Sequence, residues 1–287
     1  MVLRAIFHLL DEWGIDAGAR RLHSVGMKAI TSIVALAVIA AALEFSAVAQ
    51  PAASVAPGVH QNAAVIPVSR TGSITNRQAQ VLQRAKDAPG DYDIEFIGDS
   101  ITQGWEGKGA NVWKELGRKY KIINFGVSGD RTEHVLWRFE QGQLDGIKAK
   151  VAVVMIGTNN SNKNKDGTDT YTDLDILEGV TAIVNQIRAR QPDTKILLLG
   201  IFPRGREFCA QRGRLLEVNQ VLAKLDNEQH IFYLDFGSQY VGNDGSISKD
   251  IMPDALHPNE AGYKIWASAM ARPEGKARHG HRDENAR

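Results

Sequence analysis

The chain has 287 residues, 43% of them hydrophobic and 23% charged, which is enough material to bury one full core. Its 34 Lys and Arg against 33 Asp and Glu leave a net charge of +1, so the basic excess of a nucleic-acid binder is missing. The single cysteine, Cys209, excludes an intrachain disulfide and a cysteine-rich metal site, and is read as an inert, partly buried thiol.

The first segment is set apart by composition. Ala29 to Leu43 is apolar or small throughout, with Thr31 and Ser32 its only polar members, and Ala47-Val48-Ala49 follows before Gln50. A basic flank, an apolar run and a small-x-small site make a signal peptide, and the run is shorter than the roughly 20 residues of a membrane-spanning helix. Residues 1–49 are therefore read as a leader that begins either at Met1, with Arg20, Arg21 and Lys28 as its basic part, or at Met27. The implied location is secreted or periplasmic, with no stable membrane span after cleavage; the competing reading is an uncleaved anchor. Residues 50–77, rich in Ala, Pro, Val and Ser, read as a flexible spacer. The folded domain is placed at 78–271. Residues 272–287 are charged and poor in apolar side chains, and read as a disordered tail in which His279 and His281 are solvated.

Within the domain, strands and helices alternate. Gln78 to Ala88 is read as a helix, Ile94 to Ile97 as a first strand, Trp113 to Tyr120 as a helix and Ile122 to Phe125 as a second strand. A helix over Arg131 to Gln141 leads to a third strand, Val151 to Ile156, whose continuous apolar run suits burial on both faces. Leu177, Val180, Ile183, Val184 and Ile187 recur at helical spacing, so Asp173 to Arg190 is a helix that ends before Pro192. Ile196 to Leu199, a helix from Leu215 to Leu225, Ile231 to Leu234 and a closing helix from Glu260 to Met270 complete the pattern. Such alternation predicts a parallel sheet with helices on both faces.

Five short motifs follow predicted strands: Gly98-Asp99-Ser100, Gly126-Val127-Ser128-Gly129-Asp130, Gly157-Thr158-Asn159-Asn160, Pro203-Arg204-Gly205 and Asp254-Ala255-Leu256-His257. In an open parallel sheet the loops at the carboxyl ends of strands converge on one crevice. Acyl transfer needs an activated nucleophile and donors for an oxyanion. Ser100 supplies a hydroxyl, although a Gly-Asp-Ser turn alone reads more readily as a helix cap. The elbow of the α/β-hydrolases is absent, because Thr102 stands where a second glycine belongs. His257 supplies a base, with Asp254 three residues earlier to hold its tautomer. Asp130 and Glu133 resemble a capping box, which puts Gly129 at a helix entrance with its amide open to an oxyanion. Asn159 offers a side-chain amide to the same oxygen; an ordinary turn asparagine is the simpler reading of that residue by itself. Asp99 and Arg204 are read as structural.

Together these blocks resemble the SGNH (GDSL-type) hydrolases, with Ser100, Gly129, Asn159 and His257 matching the four residues of the family name. Asn124-Phe125-Gly126, His134-Val135-Leu136-Trp137-Arg138 and Pro203-Arg204-Gly205 bring the chain nearest to esterases like the platelet-activating-factor acetylhydrolase catalytic subunits. The likeness spans roughly Asp93 to Met270. It implies a flavodoxin-like three-layer α/β/α sandwich with a five-stranded parallel sheet, which agrees with the five strands counted above. It also implies Ser100, Asp254 and His257 as catalytic residues, and Ser100, Gly129 and Asn159 as the oxyanion hole. The expected activity is hydrolysis of short-chain acyl esters, acetyl above all and with acylated carbohydrates among the expected substrates, through an acyl-enzyme that uses neither cofactor nor metal. The expected partner is a small ester, with no nucleic acid. Two other readings are a lysophospholipase or thioesterase acting on longer chains, and a non-catalytic carbohydrate-binding module.

Overall fold

The computed structural model describes residues 61–71 and 75–271. The predicted leader, residues 50–60 and 72–74 of the predicted spacer, and the tail lie outside the described residues. None of the described helices is long and apolar enough to cross a membrane.

The elements follow in the expected alternation: α1 (Thr75–Asp87), β1 (Gly90–Gly98), α2 (Ser100–Gln103), α3 (Ala110–Gly117), β2 (Ile122–Gly126), α4 (Thr132–Glu140) and β3 (Ile147–Met155). They continue with α5 (Asp173–Arg190), β4 (Lys195–Leu199), α6 (Ala210–Leu222), β5 (Ile231–Leu234) and α7 (Glu260–Ala271). The five strands form one sheet in the order β2-β1-β3-β4-β5, and every pairing is parallel. That order is the flavodoxin-like one, whose crossover changes side between β1 and β3.

Alternation along each strand sorts side chains to two layers. Phe96, Val151, Val153, Leu197 and Leu199 pack with Val112 of α3 and Tyr263, Trp266 and Ala269 of α7. Ile97, Ala152, Val154, Ile196 and Leu198 point the other way, against Val135 and Phe139 of α4, Ile176, Val180, Ile183 and Ile187 of α5, and Leu215, Val218 and Leu222 of α6. A smaller cluster joins Val81 and Ala85 of α1 to Ile123 and Phe125 of β2.

Several boundaries differ from expectation, among them α1, which starts at Thr75, and α3, which spans Ala110–Gly117 where Trp113 to Tyr120 was expected. β1 and β3 start earlier than the apolar runs, at Gly90 and Ile147, because their amino ends keep the ladder while exposing polar residues such as Asp91 and Lys148. α6 starts at Ala210, five positions before Leu215, since its first turn carries no apolar period and the side chain it buries is the polar Arg212. Residues 62–70, read as part of a flexible spacer, lie docked on the domain: Ala64 is fully buried, and its carbonyl accepts from Thr132 Oγ1 at 2.8 Å. Cys209 is exposed, not partly buried.

Candidate active site

β1 lies inside the sheet, and its two neighbours β2 and β3 run alongside it with Gly98 opposite both Gly126 and Met155. Adjacent strands lie about 4.8 Å apart. The loops leaving the ends of β2 and β3 therefore flank the residue that follows β1, and that residue is in Ser100's turn.

Ser100 opens α2, a helix of four residues. Asp99 caps it, its Oδ1 accepting from the Ile101 amide at 2.9 Å. The short helix is pressed onto the end of β2: a Cβ on Gly126 would stand 2.2 Å from the Gln103 nitrogen, so only glycine fits there. Side chains lock the contact. Asn124, fully buried, donates to the Thr102 carbonyl at 2.9 Å and accepts from Gly126 N at 2.7 Å. Gln103 Oε1 accepts from Ser128 N at 2.7 Å, and Tyr263 on α7 donates to the Ile101 carbonyl at 2.6 Å.

His257 reaches Ser100 across 157 residues of chain, with Nε2 2.9 Å from Oγ. Its Nδ1 lies 2.7 Å from Asp254 Oδ2. With the Nδ1 proton facing that carboxylate, Nε2 is left as the acceptor for the serine hydroxyl. Asp254 Oδ1 accepts from the His257 and Leu256 amides at 2.8 and 3.1 Å. Burial on its own would raise Asp254, but these amides and the imidazole hold its carboxyl down at about 2. It is thus ionised throughout the neutral range. Ala255, between them, takes a left-handed φ of +56°, an uncommon conformation for a residue with a Cβ, and its carbonyl accepts from Gly205 N at 2.9 Å. The Pro203-Arg204-Gly205 loop therefore braces the histidine loop, and Arg204 also donates to the Thr158 carbonyl at 2.9 Å. The structural reading of Arg204 fits these contacts.

On the other side of Ser100, Gly129 has a φ of +75°, in the region that suits glycine. The backbone amides of Ser100 and Gly129 donate to no described residue. Asn159 Nδ2 donates to the Asp130 carbonyl at 2.9 Å and lies 3.4 Å from Asp99 Oδ2. The amides of Ser100 and Gly129 and the Asn159 side chain thus lie on the loops that leave β1, β2 and β3. The expected capping box is different in detail. The N-terminal residue flanking α4 is Arg131, whose amide donates to His134 Nδ1 at 2.9 Å. Burial, then the cations Arg70, Arg131 and Arg138, push that imidazole down to about 3, so it stays neutral and can accept. Glu133 instead accepts from Tyr171 at 2.7 Å and Asn160 at 3.1 Å, and Asp130 pairs with buried Arg138 at 3.0 Å.

Sequence reasoning passed over several supports of the site. Asn160, fully buried, accepts from Thr132 N at 3.1 Å and so ties the β3 loop to the start of α4. Arg138, Gln103 and Asn124 do comparable work. Asn160, Arg138 and Asn124 sit inside motifs that carried the family likeness, as does Asp130, the partner of Arg138, and that was the available signal; Gln103 left none.

The GDSL-like Lipase/Acylhydrolase family profile matches residues 96–265, which contain every block described above. The chain belongs to this family. Among curated relatives of this GDSL-type acylhydrolase is the human platelet-activating factor acetylhydrolase IB subunit alpha2, 38% identical over 172 residues that cover 60% of this chain and 71% of that protein. The human alpha1 subunit is 36% identical over 179 residues, covering 62% and 73%. In fold, the acylhydrolase is similar to a GDSL-like lipase from Bacteroides thetaiotaomicron, with a TM-score of 0.55 and 19% identity over 69% of this chain and 97% of that one. It is also similar to an acetyl xylan esterase, with a TM-score of 0.52 and 22% identity over 62% and 97%. As a GDSL-type acylhydrolase, it is an ester hydrolase.

Proposed function

We propose that the chain hydrolyses esters of short acyl groups, acetyl above all, by way of an acyl-enzyme on Ser100. The observation that carries this reading is the unbroken line from Ser100 Oγ through His257 to Asp254, at 2.9 and 2.7 Å. His257 Nε2 takes the hydroxyl proton as Oγ attacks the ester carbonyl. Asp254, already ionised, stabilises the imidazolium that forms. The amides of Ser100 and Gly129 and the Asn159 side chain receive the developing oxyanion. Collapse expels the alcohol, which takes the proton from His257, and water repeats the sequence on the acyl-serine.

The acetyl preference draws support from the acetylhydrolase subunits to which the chain is 38% identical. An acylated sugar is the proposed alcohol side, on the reading of residues 1–49 as an export leader, which would bring the chain to polysaccharide acetyl esters outside the cell.

Purified protein is expected to cleave p-nitrophenyl acetate, and Ser100→Ala to lose at least about 1,000-fold in turnover. Acetyl esters are expected to outrun octanoyl esters in kcat/KM. A Ser100→Ala variant with wild-type turnover would refute the mechanism, while a preference for octanoyl would move the chain to the longer-chain lipases and thioesterases.

A further inference from the structure

The stretch before α1 delivers a cation to the oxyanion loop. Asn62 Oδ1 accepts from Ala64 N at 2.8 Å, and its Nδ2 donates to Glu178 on α5 at 2.7 Å. Val68 N donates to the Glu133 carbonyl on α4 at 3.2 Å. These contacts fix the course of the backbone up to Arg70, whose guanidinium donates to the Gly129 carbonyl. A Cβ built on Gly129 would lie 2.9 and 3.0 Å from the two terminal nitrogens of Arg70, so the guanidinium covers one face of that glycine.

We propose that Arg70 is a positioning residue of the oxyanion hole, a role that rests on the esterase reading above. The Gly129 carbonyl and amide flank one Cα, which has no side chain to restrain it in its left-handed conformation. Gripping the carbonyl limits rotation about that Cα and keeps the N–H aimed at the oxygen. The grip matters most when charge appears on that oxygen, because a preorganised donor contributes in the transition state far more than in the ground state. Removing Arg70 therefore lowers kcat while leaving KM nearly alone. The strap that carries Arg70 is then part of the catalytic apparatus, even though it lies outside the alternating strands and helices.

The test uses the full chain with p-nitrophenyl acetate and compares wild type, Arg70→Ala, Arg70→Lys, Asn62→Ala and Ser100→Ala. Arg70→Ala is expected to lose about 10- to 100-fold in kcat, as a modest misalignment of a catalytic group does, with KM within about twofold. Arg70→Lys should regain part of the loss through its charge. Guanidinium chloride below denaturing concentration should restore turnover to Arg70→Ala and leave Ser100→Ala dead. Asn62→Ala, which loosens the strap and keeps the cation, should lower Tm more than kcat. Wild-type kcat in Arg70→Ala, or losses in both strap variants that simply track Tm, would overturn the role of Arg70 alone. A wild-type protein without turnover would sink the esterase reading and this role together.

Discussion

Asn159 is already engaged in the resting site, and unevenly. Its donation to the Asp130 carbonyl at 2.9 Å is of ordinary length, whereas the approach to Asp99 at 3.4 Å is at the loose limit. The hydrogen facing Asp99 is the one that an oxyanion can claim. Burial first, with the Asp130 charge adding to it, pushes the Asp99 carboxyl up to about 7. Its hold on Asn159 is correspondingly weak. Asn159→Ala is expected to reduce kcat by about 100- to 1,000-fold with little change in KM, as for other oxyanion donors. Steady-state kinetics check this, and a variant impaired only in KM would show that Asn159 binds substrate and does not stabilise the oxyanion. At this scale the sequence was legible wherever a reactive side chain followed a strand. Ser100, Asn159 and His257 met that condition, and Asp254 was found through its spacing from His257. Arg70 did not, because its partner lies 59 residues away on a backbone carbonyl, which no side-chain pattern announces.

α2 and α4 show what holds the site at the level of elements. α2, with four residues, is too short to display a helical period, and it stands only because Gly126, Asn124 and Tyr263 hold it. Its shortness explains why the sequence offers a helix after β1 only through its cap, Asp99, and not through an apolar period. The strands were legible because burial on both faces makes them continuously apolar; their hydrated amino ends were not. α4 anchors the oxyanion loop through the Arg138–Asp130 pair, in which both side chains are fully buried. Burial pushes Asp130 up to about 6, with Arg138 the main restraint on that rise. Arg138→Met leaves this carboxylate without its partner, and is expected to destabilise the fold by about 3–5 kcal/mol in urea unfolding. The Asp130→Asn/Arg138→Met double variant should lose less than Arg138→Met alone. A double variant that loses the sum of both single changes would mean that the pair is not coupled.

Across the whole molecule, Glu95 on β1 is a carboxyl fully enclosed in the sheet. Burial, only partly offset by the Gln191 amide, pushes it up to about 8 from an ordinary 4.5. Between these two values the folded chain holds a proton that the unfolded chain has released. Folding then takes up a proton, so stability falls as pH rises through this window, and the cost is complete above about 8. His134 acts in the opposite sense at lower pH: held neutral to about 3, it costs stability as pH drops below its ordinary 6.5. Comparing Glu95→Gln with wild type isolates the first effect. The variant is expected to gain a few degrees in Tm at pH 8.5, about 2–4 °C for each kcal/mol recovered, and to gain little at pH 5. Equal shifts at both pH values would assign the effect to packing. The parallel order and the three layers were legible because alternation of strand and helix leaves few other topologies; the docking of residues 62–70 was not, since Ala, Pro and Val carry no period there. The 157 residues between nucleophile and base also have a consequence for biosynthesis. The serine leaves the ribosome well ahead of its histidine, by roughly ten to thirty seconds at common translation rates. A nascent chain halted after β5 already contains every strand of the sheet and still lacks His257, so under the proposed mechanism this hydrolase stays silent toward esters until the last helix is being made.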